Sequence, residues 1–135
     1  MRPPKVILLA GDDDLRVSEL RYMLRILGYR PIARGNPAEA ERVLLETHID
    51  LLLVVCPLDG GEWLLKRSKV VAPYVPTLVL LETETFLPPG WAPDSALCRG
   101  QCSSAAIVER LKLLTARKRG PRKGAQYKPG TEPEP

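Results

Sequence analysis

The chain has 135 residues, enough for one domain of ordinary size and too few for two. Apolar residues make up 44% and charged residues 27%, a balance able to bury a real core, but aromatics at 5% leave the packing to Leu, Val and Ile. Lys and Arg number 20 against 16 acids, and the last twenty residues, with six basic and two acidic side chains, account for the whole net charge of +4. The remainder is electrically balanced, which argues against a nucleic-acid-binding face on the body itself.

Three cysteines, Cys56, Cys98 and Cys102, form an odd set, and Met1 to Lys5 runs into a short strand without a leader-like apolar region. No apolar run approaches the roughly 20 residues that span a bilayer. The expectation is a cytoplasmic chain with reduced thiols and no disulfide framework.

In chain order, Val6 to Ala10 reads as a buried strand closed by Gly11. Asp12, Asp13 and Asp14 open an amphipathic helix, with Val17, Leu20, Leu24 and Leu27 inward and Gly28 at its stop. Arg30 to Arg34 is a weaker strand whose Pro31 suits an edge. Asn36-Pro37 caps and starts a second helix with Ala40, Val43, Leu44 and Thr47 on one side. Leu51 to Cys56 is apolar at every position and must be a central strand.

Pro57 to Gly61 is a turn, and Glu62 to Lys69 makes a short helix packed through Trp63 and Leu64. Thr77 to Leu81 is a fourth strand, and the proline-rich stretch from Glu82 to Pro93 does not favour a regular helix. Ser95 to Cys98 is a short fifth strand. Ser103 or Ser104 caps a last helix with Ile107, Leu111 and Leu114 inward. Strand and helix alternate five times, which predicts an α/β fold: a parallel sheet with helices on both faces. Chemistry in such folds gathers outside the carboxyl ends of the strands, here Gly11 to Asp14, Cys56 to Gly60, Leu81 to Thr83 and Cys98 to Gly100.

Over residues 5 to about 117 the sequence resembles the receiver domain of two-component response regulators. The resemblance is carried by Val6 to Asp13 as the opening strand and acidic pair, Gly28-Tyr29 as the end of the first helix, and Asn36 to Ala40 as the start of the second. Asp50 to Val55 is similar to the strand that ends in the phosphoacceptor, Val75 to Leu80 to the strand before a switch hydroxyl, and Ala92 to Gly100 to the strand before a lysine. The fold it implies is a three-layer, doubly wound, flavodoxin-like domain over 1–117, its five-stranded parallel sheet in the order 2-1-3-4-5. Residues 118–135 would follow as a basic, Pro/Gly-rich, disordered tail.

The family's activity rests on an aspartate that accepts phosphoryl, acids that hold Mg²⁺, a hydroxyl and a lysine. Metal and lysine neutralise the transferring oxygens, and the hydroxyl distinguishes the charged state from the empty one. In this sequence the acceptor position falls on Val55 or Cys56, neither a carboxylate. Gly11 stands at the first acidic position, with Asp12 at the second and Asp13 as a third acid; Leu81 takes the hydroxyl position and Arg99 the lysine position. Arg99 keeps the charge but exchanges a compact ammonium for a planar fork, and an internal pair with Asp12 is expected in preference to a captured anion.

The Asp12–Asp14 run is expected to cap a helix and complement its dipole instead of binding Mg²⁺, so neither a metal nor a resident cofactor is expected. Cys56, Cys98 and Cys102, with the lone His48, lack the spacing of a zinc site, and the cysteines are expected to act as small hydrophobes. The basic run Arg117, Lys118, Arg119, Arg122 and Lys123 reads as a solvated tail.

The resulting expectation is not an enzyme but a pseudo-receiver. It would act through phosphorylation-independent protein–protein contact with a histidine kinase or another signalling protein. Two alternatives are a nucleic-acid-associated regulator using the tail, and a phosphorylatable receiver in which Asp59 replaces the missing acceptor.

Overall fold

A computed structural model describes residues 3–117. Five strands, β1 (Val6–Ala10), β2 (Arg30–Arg34), β3 (Leu51–Cys56), β4 (Thr77–Leu81) and β5 (Ser95–Cys98), pair in parallel in the order β2-β1-β3-β4-β5. Between them run α1 (Asp14–Ile26), α2 (Pro37–Glu46) and α3 (Gly61–Val71), and α4 (Ser104–Arg117) follows β5. The strand order expected from the sequence is therefore the one observed.

Alternation along the strands divides the core into two layers. Leu8, Leu52, Val54, Cys56, Val79 and Leu81 pack under α2 and α3, while Leu9, Leu53, Val55, Leu78, Leu80 and Leu97 pack under α1 and α4. All six β3 residues are buried, as a central strand covered on both faces requires. Removing this much aliphatic surface from water, at about 25 cal/mol per Å² of apolar area, is the main force holding the fold.

Local signals set the helix ends. The Asp13 carboxylate accepts the Arg16 N–H at 3.2 Å, Asn36 accepts the Ala38 N–H at 2.8 Å ahead of Pro37, and Ser103 Oγ accepts the Ala106 N–H at 3.1 Å. Each satisfies an otherwise orphaned helical donor. Gly28 ends α1 at φ 91°, a conformation that a side chain would strain.

Four details differ from the sequence reading. Helix α3 spans Gly61–Val71, longer than expected at both ends, and it buries Leu64 and Leu65 while Trp63 faces solvent. Leu27 is the C-cap of α1 and turns outward, and Thr47 is the exposed C-cap of α2. Both sit where the helical period stops holding a side chain over the sheet. As expected, Glu82 to Pro93 contains no helix; it forms a strap whose Leu87 and Trp91 lean on the α2/α3 layer.

Both sheet edges are interrupted against further pairing. On β2, the Arg30 N–H and Arg34 carbonyl face β1, so Pro31 and Ala33 face outward; Pro31 has no N–H to offer, and Arg34 Nη1 caps the Ala33 carbonyl at 2.7 Å. On β5, Arg110 Nη1 covers the Ala96 carbonyl at 3.3 Å and also donates to Ser95 Oγ, while Gln101 Oε1 accepts the Cys98 N–H at 2.8 Å.

Candidate functional site

The carboxyl ends of the strands bring Gly11–Asp14, Val55–Cys56, Leu81–Glu82 and Cys98–Arg99 to one side of the sheet. Ala10 lies beside Val54, Cys56 beside Leu81, and Leu81 beside Cys98. Val55 and Cys56, the two residues expected at the acceptor position, point to opposite faces. Val55 belongs to the α1/α4 layer, against Gly11: a Cβ at Gly11 would lie 3.1 Å from Val55 Cβ and 3.0 Å from Val17 Cγ2. Cys56 belongs to the other layer, its Sγ 3.8 Å from where a Cβ at Gly61 would stand, beneath the start of α3 and beside Trp91.

The space beside β1 that an acidic side chain would need is thus filled by valines. Burial pushes the Cys56 thiol up to about 11, partly countered by a backbone hydrogen bond at Leu58, so it is protonated and unreactive at neutral pH. Leu81, expected at the hydroxyl position, is 2% exposed and apolar.

Asp12, Asp13 and Asp14 are exposed at the mouth, and the Asp13 carboxylate is committed to capping α1. Among the described residues no three His, Cys, Asp or Glu side chains group as metal ligands do. A hard divalent cation takes several converging oxygens. One committed carboxylate, two exposed ones and an apolar β3 end do not fit that need.

A charge cluster that the sequence reading did not single out spans the mouth. Arg16, in the first turn of α1, donates from Nε to Glu82 Oε2 at 2.7 Å, with its second nitrogen 2.6 Å from the same oxygen. It also approaches Glu19 at 3.4 Å and donates to the Cys102 carbonyl at 3.4 Å. Since β3 lies between β1 and β4 in the sheet, this guanidinium bridges from the helix after β1 to the loops after β4 and β5, across the end of β3. Partial burial works against its charge, but the hydrogen bond and charge of Glu82, with Glu19 adding, more than offset that and hold Arg16 above its ordinary value. The available signal was Glu82 itself: an acid directly after a buried strand needs a cation within reach.

The expected Arg99–Asp12 pair does not form. Both side chains are exposed, none of the ion pairs among the described residues joins them, and the Arg99 N–H donates to the Glu84 carbonyl at 2.7 Å. The reason is local: Arg99 enters a turn in which the Gln101 N–H donates to the Cys98 carbonyl at 2.9 Å, and its side chain is turned to solvent.

Cys98 and Cys102 lie near each other, the Cys102 thiol donating to the Leu97 and Cys98 carbonyls at 3.4 Å each, and Cys56 stands apart in the α2/α3 layer. Burial, then the negative charge of Glu82, raise the Cys102 thiol. His48 sits at the other end of the sheet, 3.0 Å from Asp50 Oδ1. Asp59 is exposed on the turn beyond β3. Arg117 ends α4, and Lys118, Arg119, Arg122 and Lys123 lie outside the described residues.

This architecture is the CheY-like receiver fold. Among solved structures, the chain superposes on a putative response regulator from Chloroflexus aurantiacus J-10-fl with a TM-score of 0.73 and 24% identity, over 84% of this chain and 99% of the other. A signal receiver domain of an HD domain-containing protein from Pseudomonas fluorescens Pf-5 gives 0.77 at 16% identity, over 90% and 94%. The receiver domain of a sensor histidine kinase from Pseudomonas aeruginosa PAO1, which holds a magnesium ion in its active-site cleft, gives 0.74 at 21% identity, over 84% and 98%. No family model and no curated protein matches the sequence. Among the described residues, no helix is long and apolar enough to cross a membrane.

Proposed function

We propose that this chain is a receiver-like signalling module of the two-component type that acts by binding a protein partner and does not accept phosphoryl. One observation carries the reading: Arg16, clamped between Glu82 and the Cys102 carbonyl, spans the mouth of a site whose central strand ends in Val55 and Cys56. In a phosphoryl-transfer site, cations neutralise charge on the moving oxygens and a carboxylate receives the group. Here the guanidinium at the mouth is already neutralised by Glu82 and Glu19, and the acceptor position offers a methyl face or a protonated thiol.

In this reading the chain has no catalytic role and no resident Mg²⁺ or other cofactor. Its partner is a protein of the same signalling class, such as a histidine kinase. The receiver fold and the seven-residue segment from Asp12 to Ser18, which starts α1 at the mouth without a converging acid set, support it. Incubation with acetyl phosphate and Mg²⁺ followed by intact-mass measurement is expected to show an unmodified chain. A hydroxylamine-sensitive adduct at Asp59 would overturn the proposal in favour of a displaced acceptor.

A further inference from the structure

A groove of about 960 Å³ runs between α1 and α4 on the face opposite α2 and α3. Its lining is apolar: Tyr22, Met23, Ile26 and Leu27 from α1, Ala105 and Val108 from α4. Tyr22 is 69% exposed and Ile26 66%, unusual for large apolar side chains standing together on one face. From its rim rise Glu109 and Lys112, three residues apart on α4, and neither takes part in the ion pairs of the described residues.

We infer that this groove is the self-association surface of the chain and that its occupant is a second copy bound across a two-fold axis. Both α1 and α4 follow a parallel strand and return along the sheet, so they run side by side in the same direction. A two-fold perpendicular to them lays the second pair antiparallel on the first, forming a four-helix contact with the same patch on each side. With the axis near the middle of α4, Glu109 of each copy meets Lys112 of the other, two ion pairs at the rim of an apolar centre anchored by Tyr22 and Ile26. A two-fold parallel to the helices would instead lay α4 over α1 of the other copy and take Glu109 and Lys112 away from each other.

The chain's own basic tail is a poorer occupant. Lys112 stands at the groove rim and Lys5 lines the neighbouring hollow beside Thr115 and Ala116 near the end of α4, so the field there has the same sign as the sequence that follows Arg117. The self-association is independent of whether the strand-end site accepts phosphoryl, since none of the groove residues belongs to that site.

The test is sedimentation equilibrium of the full chain across micromolar concentrations, with circular dichroism to confirm that each variant folds. A concentration-dependent dimer is expected. Ile26→Glu should leave only monomer. Glu109→Lys and Lys112→Glu singly should each weaken the dimer by about tenfold, by replacing two attractive rim contacts with two repulsive ones, and the double exchange E109K/K112E should restore it. Deleting residues 118–135 should leave the dimer intact. A chain that is monomeric throughout, a dimer indifferent to Ile26→Glu, a double exchange that fails to restore association, or a dimer lost with the tail would each overturn the inference. The mass readout separates this outcome from the phosphorylation result.

Discussion

The two ends of the β-sheet use their aspartates in opposite ways. At the amino end, acids are bonded into the frame: Asp50 Oδ2 accepts the Val6 N–H at 2.7 Å, and Asp94 Oδ2 accepts the Thr77 N–H at 2.8 Å and its hydroxyl at 3.2 Å, while the Asp94 N–H returns a bond to Thr77 Oγ1. At the carboxyl end Asp13 caps α1, but Asp12 and Asp14 are exposed and the strand ends are apolar. Polar capacity in this chain is spent on joining strands and helices, and at the end where the fold ordinarily places its chemistry the strands finish in apolar side chains beneath the Arg16–Glu82 ion pair.

The largest effect is expected from a carboxylate placed among the buried valines at the carboxyl end. Val55→Asp, at a side chain 3% exposed and beside Gly11 and Val17, is expected to cost about 3 kcal/mol or more in urea unfolding, because the acid is buried without a cation partner. An unchanged unfolding midpoint would mean that the end is open and hydrated.

Gly11→Ala separates crowding from charge. Its methyl group would sit 3.0 Å from Val17 Cγ2 and 3.1 Å from Val55 Cβ, so a loss of about 1–3 kcal/mol is expected from overpacking alone. A neutral result would show that the valines yield and that an acidic side chain could be accommodated there.

At the amino end, Asp94→Ala should cost about 1–2 kcal/mol by leaving the Thr77 N–H without its acceptor. Hydrogen exchange at Thr77 is the direct check, and a Thr77 amide as protected as in the parent would show that another acceptor had taken over.

The smallest effect is one of reactivity. With its thiol pushed up to about 11, Cys56 holds only about one thiolate in a thousand at pH 8. Cys56 should therefore be the last of the three cysteines to react with a disulfide reagent, as read by peptide mass. The same shift fixes a sign: a thiol whose folded value lies above its ordinary 9.0 favours folding fully below about pH 9, and that contribution is lost as pH rises toward 11. Stability that rose over this interval would contradict the burial of Cys56.

Much of this frame was legible in the sequence. The all-apolar run from Leu51 to Cys56, the proline in β2 and the alternation of short runs with 3-4 periodicities led to a parallel sheet with β3 central and β2 at an edge, because each reports burial on one or two faces; the full strand order came from the resemblance to receiver domains. The apolar strand ends at Val55, Cys56 and Leu81, with Gly11 after β1, were also visible, since residue type alone shows that they carry neither carboxylate nor hydroxyl. What stayed hidden depended on distance through space. The Arg16–Glu82 contact joins residues 66 apart, and no local pattern couples them. The expected Arg99–Asp12 pair failed because charge type was legible while the turn that directs Arg99 to solvent was not. Leu27, Thr47 and Trp63 were assigned inward by helical period, which cannot tell where a helix stops or which of two neighbouring apolar residues faces the sheet.

The interrupted edges of the sheet carry a consequence for how the molecule meets others. With Pro31 and Arg34 guarding β2, and Arg110 and Gln101 guarding β5, an extended peptide finds no ladder to continue, and stacking of copies edge to edge into ribbons is blocked at both margins. Recognition is left to the helical faces, whose rigid spacing can reject a partner of the wrong shape, and a crowded solution of this protein should resist fibril growth even when its helices associate.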